Sequence, residues 1–87
     1  MTRRAIKKAL RRAEEAIREE RFVDAERIYR GLFDAFSISR PSLLDHAACI
    51  YGLISTLAIM QRTEDAIELS NAACEILEAR KAMQIAA

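Results

Sequence analysis

The sequence predicts an all-α domain of two antiparallel helix-turn-helix hairpins, four helices in one 87-residue unit. Three observations lead there. Apolar residues recur three and four apart in four separate stretches, the spacing of an amphipathic helix. Only two Gly and one Pro are present, too few to punctuate a β-fold. The composition is 52% hydrophobic and 31% charged, which supports a folded core and argues against disorder. A domain of this size buries only about 60–65% of its unfolded surface, so its stability margin is expected to be thin.

The first helix runs from Arg3 to Glu20. Ala5, Ile6, Ala9, Leu10, Ala13, Ala16 and Ile17 share one arc, and basic and acidic residues fill the other. After a polar break at Glu20 and Arg21, the second helix spans Phe22 to about Phe36 with Phe22, Ala25, Ile28, Tyr29, Leu32, Phe33 and Phe36 on its apolar side. Serines and Pro41 end it near 37–41, because Pro41 pushes Arg40 out of the helical region. Ser42 is placed to cap the third helix, with Asp45 near the positive end of its dipole. That helix reaches about Gln61, and its wide apolar surface makes it the most buried. Thr63 is read as the cap of the fourth helix, which extends toward Ala87 and is expected to fray there. The hairpins so defined cover residues 3–38 and 42–86, within one domain of residues 1–87.

Phe22-Val23-Asp24-Ala25-Glu26 aligns with Thr63-Glu64-Asp65-Ala66-Ile67 at an offset of 41 residues. Each half therefore reads as a long helix, a tight turn, an Asp-Ala pair opening a second helix, and a loop. With Tyr29 and Leu32 following Ala25, and Ala73 following Ala66, the arrangement resembles the tetratricopeptide repeat, in which an early small residue lets the two helices approach closely. The 41-residue unit is longer than the standard repeat of about 34. With its Arg40-Pro41-Ser42 link it is most similar to the kinesin-light-chain type. Two departures stand out: Ser70 occupies an aromatic position, and the first helix has Ala9, Arg12, Ala13 and Ala16 where the third has Ile50, Leu53, Ile54 and Leu57.

The resemblance implies a short right-handed solenoid whose groove receives a peptide or helix of a protein partner. It places Lys7, Leu10, Glu14, Ile17 and Arg18 from the first hairpin and Ala48, Tyr51, Ser55 and Ile59 from the second along that groove. Leu10 and Ile17 are expected to be left over for a partner to cover, since repeat arrays usually need about three repeats or a cap. Two alternative readings accompany this one. One is a small chaperone of the secretion-system type holding an aggregation-prone partner; the other is a structural oligomer whose grooves are filled by neighbouring subunits.

Little in the sequence points to chemistry, and no catalytic residue, cofactor, metal or small-molecule substrate is expected. His46 and Cys49 stand three apart on one helix, but neither further ligands nor an orienting group accompany them. They are read as an exposed or partly exposed histidine beside a buried thiol. Cys49 lies 13 residues before Arg62 and Cys74 lies 12 after it, so a hairpin turn there brings them level. A disulfide is geometrically open, while two buried thiols suit a reducing compartment.

The net charge of +1 is unevenly spread: residues 1–20 hold seven basic and four acidic side chains, whereas residues 42–87 hold three and six. The stripe of Arg3, Arg4, Lys7, Lys8, Arg11 and Arg12 carries no interleaved aromatic residues, so nucleic acid is not the expected partner. Its placement at the unfavourable end of the helix dipole suggests an acidic surface elsewhere, either a second copy stacked head to tail or a two-fold dimer. The chain shows neither a signal-like leader nor an apolar run long enough for a bilayer, and a cytoplasmic location is expected.

Overall fold

A computed structural model of the chain describes residues 2–38 and 40–86, with side chains through residue 83. The expected fraying at Ala87 lies outside them. Four helices follow in order: α1 (Arg3–Arg18), α2 (Phe22–Ala35), α3 (Leu43–Ile59) and α4 (Thr63–Ala86). The fold is all-α, with no strand among the described residues. α1 packs on α2 and α3 on α4, giving two antiparallel hairpins, and the hairpins stack chiefly through α2 on α3, with a lesser contact of α1 on α3. The result is a flat slab of 41 × 30 × 17 Å.

Local chemistry sets the helix starts. The Thr2 side chain accepts a hydrogen bond from the Ala5 amide at 3.1 Å, and the Ser42 side chain does the same for Asp45 at 3.1 Å. Thr63, expected as a cap, is instead the first residue of α4. Arg62 holds the turn before it, directing its guanidinium to Asp65 at 2.9 Å.

Both hairpins turn by the same device. Glu20 and Gln61, 41 residues apart, each adopt a left-handed conformation, with φ of 60° and 61°. The Glu20 amide donates to Ile17 and the Arg21 amide to Ala16; the Gln61 amide donates to Ala58 and the Arg62 amide to Leu57. This paired pattern closes a helix C-terminus and reverses the chain. The next residue repeats as well, since Arg21 bonds Asp24 as Arg62 bonds Asp65. The repeat seen as an Asp-Ala pair in the sequence thus extends to backbone hydrogen bonds and flanking ion pairs.

The core runs along the stack from Ile6, Leu10, Ala13 and Ala16 through Tyr29 and Leu32 to Cys49, Leu53 and Leu57. Ala25 and Ala66 are buried where each second helix crosses its first. The expectation that Leu10 and Ile17 await a partner is corrected here. Ala13 and Ala16 are fully buried, and the close approach they allow brings α1 down so that Leu10 is buried and Ile17 half-buried against the same core.

Candidate functional site

The junction between hairpins defines what each hairpin offers its neighbour. Gly52 of α3 admits the Tyr29 ring of α2, since a Cβ there would overlap the ring and lie 2.6 Å from its hydroxyl oxygen. The buried Cys49 thiol donates to the Tyr29 carbonyl at 3.3 Å, and burial pushes its pKa up to about 12. Lys7 of α1 pairs at 3.0 Å with Asp45 of α3, whose side chain is only 4% exposed. Arg62 grips both carboxylate oxygens of Glu26 at 2.8 Å, and Arg30 adds a third bond from the other side. The hydrogen bond from Arg30, helped by Arg62, holds the Glu26 carboxyl below its ordinary range against the opposing effect of burial.

His46 is buried, correcting the expected exposed or partly exposed imidazole. It points across the junction rather than to solvent, with its ring edge-on to Phe36 at 5.4 Å and Phe33 at 6.5 Å. Arg80 of α4 donates to its Nδ1 at 2.9 Å, which puts the ring proton on Nε2. Burial, and secondarily the Arg80 charge, lowers its pKa. Cys49 and His46 therefore face different partners on hairpin 1. Cys74 is exposed, which corrects the expectation of two buried thiols: the cysteines are one buried and one accessible free thiol. Among the described residues no three His, Cys, Asp or Glu side chains are grouped to share a metal ion. None of their helices is long and apolar enough to cross a membrane.

Of the expected groove residues, Lys7, Glu14, Arg18, Ala48, Tyr51, Ser55 and Ile59 are exposed, Ile17 is half-buried and Leu10 is buried. At the 41-residue offset these form equivalent pairs, Lys7 with Ala48, Leu10 with Tyr51, Glu14 with Ser55 and Arg18 with Ile59. Leu10 and Tyr51 therefore occupy the same place in successive units, yet Leu10 is 9% exposed and Tyr51 59%. The difference is position in the stack. Leu10 faces the next hairpin, whereas none of the described helices stacks on the corresponding face of hairpin 2.

The same holds for the rest of that surface. Ile6 and Ala13 are buried and Ile17 is half-buried against the core; of their counterparts, Ala47 is half-buried, Ile54 is half-buried and likewise packed against the core, and Ala58 is exposed. On α4, the counterpart of buried Phe36 is Leu77, half-buried, and that of Glu26 is Ile67, 55% exposed. Hairpin 2 thus ends in an uncovered apolar face built from the stacking residues of α3 and α4. Along α3 it continues into exposed Leu44 and Ile59.

Comparison with protein families, curated proteins and solved structures finds no match to this chain.

The opposite end of the stack differs. The side of hairpin 2 that receives hairpin 1 presents Cys49, Gly52, Leu53 and Thr56; at the same offset hairpin 1 presents Lys8, Arg11, Arg12 and Glu15, all exposed. The basic stripe is therefore the outer surface of the first unit. Helical period alone marks it as a solvated face and does not reveal that it lies where a preceding hairpin would stack. The repeat carries that signal, because the alignment that pairs Ala25 with Ala66 also pairs Arg12 with Leu53.

Proposed function

We propose that the chain is a non-enzymatic, tetratricopeptide-like interaction module that receives a helix of a protein partner on the uncovered face of hairpin 2. The observation that carries this reading is the contrast between Leu10, buried by the next hairpin, and Tyr51, its exposed equivalent. A surface that is apolar at the spacing of a stacking interface, and is left uncovered by the described residues, suits a helix laid along α3 and α4. Tyr51 is the natural anchor, as a large, rigid side chain at the middle of the patch. Leu44, Ile54 and Ile59 flank it along the helix. The sequence resemblance to tetratricopeptide proteins, whose units work by stacking and by binding peptides, supports the same class of activity.

Amphipathic helical peptides selected from a display library test the proposal. Binders are expected to shift the backbone NMR signals of Tyr51, Ile54, Ile59 and Ile67, and Tyr51→Ala is expected to weaken them at least tenfold without lowering the melting temperature. Selected peptides that bind undiminished to Tyr51→Ala, or that shift signals only on α1 and α2, overturn it.

A further inference from the structure

The described backbones of α2 and α4 do not approach closely, and between them lies a cleft of about 610 Å³. Phe33 of α2, Phe36 at its C-terminal cap, Pro41 of the connecting loop, and Ile76 and Met83 of α4 form its apolar walls. Arg40 and Arg80 also line it, and among the described residues no carboxylate does.

Arg80 is what makes the cleft more than a gap. Two basic residues among those described are half-buried, Arg62 and Arg80. Arg62 is neutralised by Glu26 and Asp65. Arg80 has no acidic side chain within ion-pair distance among the described residues. It donates instead to two neutral acceptors, His46 Nδ1 and the Pro41 carbonyl. Those bonds fix the guanidinium and use two of its five N–H groups, leaving three donors and a full charge beside aromatic and aliphatic walls. A half-buried, uncompensated cation in apolar surroundings is costly alone and favours an anion brought to it. One oriented guanidinium suits a single carboxylate, which it can meet with two parallel bonds. The volume and mostly apolar lining are those of a small-molecule site.

We propose that this cleft binds a small monoanion consisting of a carboxylate on an apolar body, with the carboxylate on Arg80 and the body between Phe33, Phe36 and Met83. The site is separate from the partner-binding face of hairpin 2 and does not depend on it.

Decanoate and decan-1-ol, equal in chain length and unequal in charge, are the probes. Calorimetry of the full chain is expected to give saturable one-to-one binding of decanoate with decan-1-ol at least tenfold weaker, and NMR shifts at Phe33, Phe36 and Met83. Arg80→Gln is expected to reduce decanoate affinity at least tenfold. Ala79→Phe, which fills the cleft without removing the cation, is expected to block it and serves if Arg80→Gln fails to fold. Equal affinity for the alcohol, undiminished binding by the Arg80→Gln or Ala79→Phe variant, or shifts confined to Tyr51 and Ile67 would each overturn the site. An apolar tetrapeptide binding far more tightly as its free acid than decanoate does would replace the free small molecule with a chain terminus.

Discussion

The two glycines offer a single substitution with opposite expected signs. Gly31 lies in α2, and a Cβ added there would meet nothing within 4 Å, so Gly31→Ala only relieves the backbone entropy cost of glycine in a helix, a gain of about 0.8–1 kcal/mol. Gly52→Ala brings the same gain, but its Cβ meets the ring of Tyr29, which is 3% exposed and has no open side to move into. Overpacking of this kind costs typically about 1–3 kcal/mol. Because several ring atoms are struck at once, the upper half of that range applies, and the net loss is about 1–2 kcal/mol. Urea unfolding followed by circular dichroism reads both. With a slope near 1 kcal/mol per molar for so small a domain, the two midpoints should separate by roughly 2–3 M. Tyr29→Leu should remove most of the Gly52→Ala penalty when the two are combined, a coupling of about 1 kcal/mol or more. If Gly52→Ala raises the midpoint as Gly31→Ala does, the hairpins do not interlock through Tyr29, and the stacking register deduced from it fails.

Other consequences follow from particular groups. Native protein should react with a thiol reagent once, at Cys74, and a second time only after unfolding, because Cys49 is buried with its pKa pushed up to about 12; two fast thiols would contradict the packing of α3 on α2. The folded His46 pKa lies below its ordinary 6.5, so the unfolded chain binds the extra proton and stability, full above pH 6.5, declines as pH falls from there toward the folded value. Melting temperature between about pH 7.5 and 5.5 should therefore fall for the natural chain and stay level for His46→Gln. Replacing Glu20 or Gln61 by Gly should stabilise by roughly 0.5–1 kcal/mol each, since both residues hold a left-handed conformation that glycine adopts without strain; a loss measured by urea unfolding would mean their side chains contribute more than the backbone costs. Sedimentation across a wide concentration range should reveal no open-ended association.

Much of the fold was legible because helical period depends on near neighbours alone. The four helices, the cap at Ser42 and the 41-residue offset all rest on residues a few positions apart. The turns were less legible: Glu20 and Gln61 are not turn-forming types, and their left-handed backbone is imposed by the hairpin closing around them. His46 illustrates the other limit. Its place on the wheel of α3 is compatible with partial exposure, and only the arrival of Phe36 from one hairpin and Arg80 from the far end of α4 buries it. Leu10 failed for the same reason in reverse. The pattern marked it as apolar and outward on its own hairpin, and the outward direction turned out to be the direction of the next hairpin.

The offset also bears on one of the partners that charge alone suggested. Stacking a second copy head to tail in the internal register carries each junction pair forward by 41 residues on one side and back by 41 on the other. The Glu26–Arg62 pair becomes Ile67 against Arg21, the Lys7–Asp45 pair becomes Ala48 against Arg4, and the Tyr29–Gly52 interlock becomes Ser70 against Arg11. Each of these three stabilising pairs is lost, and three arginines are brought toward apolar or small residues with no counter-charge among those contacts. In this head-to-tail register the basic residues of the first helix are therefore not paired with the acidic residues of the fourth in these contacts. The charge on α1 closes one end of the stack to a further hairpin, while the apolar face of α3 and α4 leaves the other end open, and what fits there must differ from the first hairpin of this chain: apolar opposite Tyr51, and free of cations opposite Ile67.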